Sequence, residues 1–145
     1  MRLAVVSDIH GNLEALEAVL LEIDRLSVDG VVALGDIVGY GPDPLACIYR
    51  IREAEASCVL GNHDAALVDA RFSHELNPIA RDTLLRSREM VTDEELAYLR
   101  TFAFRHVEAD GVFTHANPIV PEQWQHLHLF EHIKWCLEEL EWHLA

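Results

Sequence analysis

Residues 2–12 read RLAVVSDIHGN, and the fold follows from how this stretch changes character. Residues 2–7 form a short apolar run. It gives way to Asp8, His10, Gly11 and Asn12, after which Leu13, Leu16, Leu20 and Ile23 recur at helical spacing through residue 26. A strand followed directly by a helix opens a βαβ unit. Working outward, residues 30–34 (GVVAL) predict a second strand, residues 43–54 a second helix, and residues 57–60 a third strand ending at Gly61. Runs that are apolar on both faces predict a parallel sheet covered by helices.

Downstream, residues 79–90 predict a polar helix. Thr92 with Glu95 three positions on has the pattern of a capping box opening a short helix. Residues 102–107 and 112–114 flank Ala109-Asp110-Gly111, a dipeptide-glycine turn suited to a hairpin that either begins a second sheet or extends the first. From residue 127 to 140, Leu127, Phe130, Ile133, Leu137 and Leu140 make one stripe, which predicts an amphipathic helix packed on the sheet. No repeat, linker or low-complexity segment divides the chain, so residues 1–145 are expected to form a single domain.

Composition narrows the function. Eleven basic residues against 25 acidic ones give a formal net charge of −14, with no basic cluster to track a phosphate backbone, so long nucleic acids are unsuitable partners. The same acidity repels small phosphorylated molecules at a distance, so phosphate chemistry here needs bound cations to reverse the local field. There is no signal-like N-terminal segment and residues 3–6 are too few to span a bilayer. A cytoplasmic location without a membrane partner is expected, with oligomerisation left open. Cys47, Cys58 and Cys136 lack CxxC spacing and are odd in number, which predicts reduced, buried thiols.

Four short polar segments each follow a predicted strand: Asp8, His10, Gly11 and Asn12; Gly35 and Asp36; Gly61, Asn62, His63 and Asp64; and His115. In open α/β sheets the ligand crevice lies beyond the carboxyl ends of the strands, so these groups converge though distant in sequence. Asp, His and Asn together suit borderline or hard divalent ions, and a carboxylate can bridge two of them. Glycines at 11, 35 and 61 fit turns where backbone passes close to metal or phosphate.

SDIHGN at 7–12, GDIVGYGP at 35–42, GNHD at 61–64 and THANP at 114–118 resemble the first four motifs of the calcineurin-like metallophosphoesterases. GDIVGYGPDP further resembles a branch of small prokaryotic phosphodiesterases or phosphatases. The resemblance implies an α/β fold of the metallophosphoesterase type, an αββα sandwich with a largely parallel first sheet. It implies hydrolysis of phosphomonoesters or phosphodiesters of small phosphorylated substrates at two divalent ions, drawn from Mn, Fe, Ni, Zn or Mg. By the same resemblance Asp8 and His10 bind the first ion, Asp36 bridges both, and Asn62 and His115 bind the second. His63, paired with Asp64, helps protonate the leaving group, and Asn12 and Tyr40 border the substrate.

The family's fifth motif, Gly-His-x-His, is absent, and the chain is expected to be truncated before it, with the C-terminal strands missing. Each ion then lacks a nitrogen ligand, and an open sheet edge is left. His126-x-His128 has no preceding glycine, and His128 with His132 sits beside the leucine stripe, so neither pair is assigned a metal. His74 and His106 lie outside every motif. A remnant of the fold serving as a non-catalytic interaction module is the competing expectation.

Overall fold

The computed structural model describes residues 1–108 and 111–144, with the side chains of all of these except Glu75 and those from 141 onward. Strands β1 (Leu3–Val6), β2 (Gly30–Ala33) and β3 (Ser57–Cys58) form a parallel sheet in the order β1-β2-β3. Leu3 pairs with Gly30 and Val6 with Ala33, while Val32 and Ala33 pair with Ser57 and Cys58. β2 is the central strand, and Val32 and Ala33 are fully buried, as continuous apolar sequence dictates. β3 is shorter than predicted; beyond it Val59 N still donates to Ala33 O at 2.8 Å, and Val59 forms an isolated parallel bridge with Ala103.

Helix α1 (Leu13–Leu26) starts where the Asn12 side chain accepts from the Ala15 amide, and it buries Leu16 and Leu20. Helix α2 (Pro44–Glu53) opens on a proline that fits a first helical turn and buries Cys47, Ile48 and Ile51. A seven-residue helix, α3 (Asn62–Val68), follows β3 at once, and a 3-10 helix (Ala70–Glu75) leads to α4 (Pro78–Met90), capped by Asn77. Thr92 and Glu95 form the expected box at the start of α5 (Asp93–Leu99). Glu95 is buried there and accepts from Tyr49 Oη on α2 at 2.9 Å, tying two helices together.

β4 (Arg105–Glu108) and β5 (Gly111–Thr114) form an antiparallel pair of their own rather than extending the first sheet. The predicted turn residues Ala109 and Asp110 lie outside the described residues. A 3-10 turn (Pro121–Gln123) precedes α6 (Phe130–Leu144), which starts three residues later than its sequence stripe. The expectation that this stripe packs on the sheet is corrected. Phe130 is 75% exposed and Leu137 60%, whereas among the described side chains Cys136 is the residue that α6 buries, its thiol donating to Asn117 Oδ1 at 3.5 Å. Periodicity located an apolar face without locating a partner for it. The covered sheet also needs qualification, since Val5 on the edge strand β1 is 49% exposed. Cys47 and Cys136 are buried free thiols, and Cys58 is half-buried.

The loops that leave β1 and β2 stay hydrogen-bonded beyond the strand ends. Asp8 N donates to Gly35 O, His10 N to Asp36 O and Gly11 N to Ile37 O, at 2.8 to 3.1 Å. The polar residues after each strand are thereby held in register at one end of the sheet.

Candidate metal centre

Holding two loops this close bends their backbones into unusual shapes. Asp8, His10, Asp36 and Tyr40 all have left-handed φ between 50° and 54°. Non-glycine residues in that region cost roughly 1 kcal/mol or more each and cluster at functional sites. Gly35 shows why the sequence needs glycine nearby: its φ is 93°, and a Cβ there would lie 2.3 Å from Gly61 N. A Cβ on Gly61 would in turn lie 2.2 Å from Asp36 Oδ1. The second and third loops touch backbone to backbone, which sets Asp36 under the first turn of α3.

Asp36 is the hub. Only 3% exposed, it accepts from His63 N through Oδ1 at 2.8 Å. Its Oδ2 lies 3.7 Å from His10 Nε2 and 3.5 Å from His115 Nε2, so one oxygen faces two imidazoles. Asp8 Oδ1 stands 3.7 Å from His10 Nε2, and its other oxygen accepts from Ser7 Oγ. Asn62 Oδ1 is 3.0 Å from His115 Nε2.

The imidazole tautomers follow from the main chain. His10 Nδ1 lies 3.2 Å from Val38 O, and His115 Nδ1 lies 2.8 Å from Leu34 O. A carbonyl can only accept, so each Nδ1 carries the proton and each Nε2 offers its lone pair toward the carboxylates. His115 Nε2 and Asn62 Oδ1 then face each other as two acceptors. Two ligands about 2.0–2.2 Å from one cation sit about this far apart, so the pair fits a shared ion. Two groups of donors, Asp8, Asp36 and His115, and His10, Asp36 and His63, each keep their ligand atoms within 4.8 Å of one another. Asp36 belongs to both. The five sequence-predicted ligands are thus gathered around it, although Asp8 groups with His115 and His63 joins His10, a partition different from the expected one.

Electrostatics points the same way. Burial pushes the Asp36 carboxyl up to about 7, the His63 amide opposing this and the Asp8 charge adding to it. Burial likewise lifts Asp64 to about 7, with Asp36 adding to it. Among the described residues no lysine or arginine pairs with Asp8, Asp36 or Asp64. A cluster of carboxylates without a cationic side chain is stabilised by bound cations.

The expected pairing of His63 with Asp64 is corrected. Asp64 is fully buried and accepts from Ile37 N, Val38 N and Gly61 N at 3.0 to 3.2 Å, so it locks the second loop to the third. Neighbouring residues on a helix do not face each other. His63 instead packs its ring 4.7 Å from His10 and 4.8 Å from Tyr40, with Nδ1 buried and unpartnered against Gly39. Burial, with His10 and His115 nearby, holds its pKa down to about 4.

Asn12 and Tyr40, expected beside the substrate, both line an open cleft of about 560 Å³ with Asp8 and His10. Three supporting residues escaped the sequence reading: Ser7, bonded to Asp8; Asn77, whose Nδ2 donates to Tyr40 Oη at 3.0 Å; and Thr83, which accepts from Tyr40 N at 3.1 Å. Asn77 was legible only as the residue before Pro78 at a helix start. Among the described residues no metal-type cluster forms at His126, His128 or His132. His106 pairs with Glu108 at 3.1 Å.

The family model described as calcineurin-like phosphoesterase matches residues 1–143. The chain belongs to the calcineurin-like phosphoesterases. Among similar proteins, MJ0912 of Methanocaldococcus jannaschii, itself uncharacterized, is 36% identical over 129 residues, covering 86% of this chain and 53% of that protein. A symmetrical bis(5'-nucleosyl)-tetraphosphatase of Chromohalobacter salexigens is 36% identical over 130 residues, 85% of this chain and 45% of the relative. The crystal structure of a metallophosphoesterase from Sphaerobacter thermophilus, 38% identical, matches with a TM-score of 0.72 over 88% of this chain and 51% of that one. This calcineurin-like phosphoesterase chain therefore spans about half the length of these relatives.

Proposed function

We propose that residues 1–145 form one domain carrying most of a dinuclear site that hydrolyses phosphomonoesters or phosphodiesters of small molecules. The convergence of Asp8, His10, Asn62 and His115 on Asp36 carries this reading. Because Asp8 Oδ1 lies 3.7 Å from His10 Nε2 and Asn62 Oδ1 3.0 Å from His115 Nε2, and His63 is kept for proton transfer, Asp8, His10 and Asp36 would hold one divalent ion and Asp36, Asn62 and His115 the other, with donors that suit Mn, Fe, Ni, Zn or Mg. Bound there, such ions lower the pKa of water and neutralise charge on a phosphoryl group.

The chain's own groups supply the rest. Asp36 commits Oδ1 to the His63 amide, which leaves Oδ2 facing both histidines. Asp64 keeps the second and third loops in place through its three amide bonds. His63 has Nδ1 buried, so Nε2 is the nitrogen available to pass a proton to a leaving oxygen. It is neutral without substrate, and an anionic phosphoryl group beside it favours its charged form.

A net charge of −14 opposes long nucleic acids far more than small phosphorylated substrates, whose charge bound cations can offset. Among the described residues no helix is long and apolar enough to cross a membrane, and we assign the activity to the cytoplasm. Hydrolysis of p-nitrophenyl phosphate and bis-p-nitrophenyl phosphate with added Mn²⁺ tests the reading, with Asp36→Asn as control. Turnover that needs Mn²⁺ and disappears in the variant is expected. Turnover indifferent to Mn²⁺ or to the substitution would contradict it. Exposed Val5, Phe130 and Leu137 favour a second reading, a non-catalytic interaction module, for which Mn²⁺ binding without any turnover is the expected result.

A further inference from the structure

The loop that holds Tyr40 is a ridge with a cleft on each flank. On one side lies the cleft of the metal donors, lined by Asp8, His10 and Asn12 together with Tyr40, Gly41 and Pro42. On the other side Tyr40, Gly41 and Pro42 face Thr83, Arg86 and Met90 of α4 across a second cleft of about 310 Å³. The ridge is fixed from both directions. Gly41 N donates to His10 O at 2.8 Å, while Tyr40 N donates to Thr83 Oγ1 at 3.1 Å and Tyr40 Oη accepts from Asn77. Tyr40 is also an aromatic residue held at a φ of 54°, a conformation that costs energy and that these contacts maintain.

The second cleft has mixed chemistry. Tyr40 and Met90, 44% and 46% exposed, give it apolar walls with Pro42. Arg86 gives it a cation. Among the described residues the Arg86 guanidinium has no carboxylate partner, as is also true of those of Arg2, Arg81, Arg100 and Arg105; what sets Arg86 apart is that it lines this cleft beside the Tyr40 ridge. An exposed guanidinium beside apolar and aromatic surface, one ridge away from metal-type donors, suits a ligand with a second anionic group and a planar ring. A simple phosphomonoester fills only the first cleft.

We infer that the cleft between residues 40–42 and α4 is the subsite for the part of the substrate beyond the reacting phosphate, and that the substrate class is a nucleoside polyphosphate. Arg86 takes a further phosphate group, and the base rests against Tyr40, Pro42 and Met90. This rests on the phosphoesterase reading above, because the metal donors anchor the first phosphate.

Calorimetric titration of the Mn²⁺-loaded chain with ATP and with inorganic phosphate tests it, since both ligands reach the metal donors and only ATP reaches Arg86. ATP is expected to bind at least tenfold tighter than phosphate. Arg86→Ala is expected to weaken ATP about tenfold, as loss of one exposed charge-assisted contact does, with a far smaller change for phosphate. Arg100→Ala, which removes another arginine without a carboxylate partner, controls for net charge. If phosphate binds and ATP binds no tighter, or if its advantage survives Arg86→Ala, the subsite is wrong and the phosphoesterase reading stands. If neither ligand binds, both fail.

Discussion

Replacing Asp36 with asparagine is expected to stabilise the metal-free protein while abolishing its response to metal. Burial moves the Asp36 carboxyl from an ordinary 3.8 up to about 7. A raised folded pKa means that the stabilising contribution is fully present below 3.8 and lost as pH rises through 7. Three units at 1.36 kcal/mol each set a ceiling of about 4 kcal/mol on the cost carried by the charged carboxylate at pH 8. At pH 5 the same linkage leaves only a minor part of that cost, because the folded-state carboxyl is then largely protonated. Asparagine keeps the oxygen that accepts from His63 N and turns its amide toward His115 Nε2, so little else is lost. Urea unfolding in EDTA should therefore show Asp36→Asn more stable than wild type by about 2–4 kcal/mol at pH 8, with a clearly smaller gap at pH 5. Saturating Mn²⁺ at a hundred times its dissociation constant adds about 2.7 kcal/mol to wild type and nothing to the variant, narrowing or reversing the order. A variant less stable than wild type in EDTA at pH 8, or a gap independent of pH, would refute the reasoning.

Three other substitutions probe separate parts of the framework. Asp64→Ala leaves the amides of Ile37, Val38 and Gly61 buried without their acceptor and should cost about 2–4 kcal/mol in urea unfolding, with Asp64→Asn milder because one oxygen remains. Gly61→Ala places a methyl 2.2 Å from Asp36 Oδ1, so calorimetry should find Mn²⁺ affinity lowered at least tenfold even where circular dichroism shows a folded chain. Phe130→Ser removes a ring that is 75% exposed; unfolding free energy should shift by less than about 0.5 kcal/mol, whereas a loss of several would mean that α6 packs on the sheet after all.

The site residues were legible because each follows a strand end, and a parallel sheet brings strand ends together. Asp8, His10, Asp36 and Asn62 sit where that rule puts them, whereas His115 follows a strand of the separate antiparallel pair and reaches the site with its Nδ1 donating to Leu34 O. The Thr92 cap read equally well, accepting from a first-turn amide of α5, whereas the caps that Asn12 and Asn77 form were found only in the structure. The role of Asp64 was not legible, because sequence adjacency to His63 suggested a pair while the first turn of α3 aims the carboxylate back at the loop amides. The grip of Asn77 and Thr83 on Tyr40 spans some 40 positions and leaves no local pattern. The α6 stripe was seen correctly as a face, but a period of 3.6 carries no information about what covers it.

Electron paramagnetic resonance of the chain titrated with Mn²⁺ tests the bridging role of Asp36 most directly. Two Mn²⁺ per chain with an exchange-coupled spectrum, reduced to uncoupled ions or none in Asp36→Asn, is the expected result. A single uncoupled ion in wild type, unchanged by the substitution, would contradict a shared dinuclear centre.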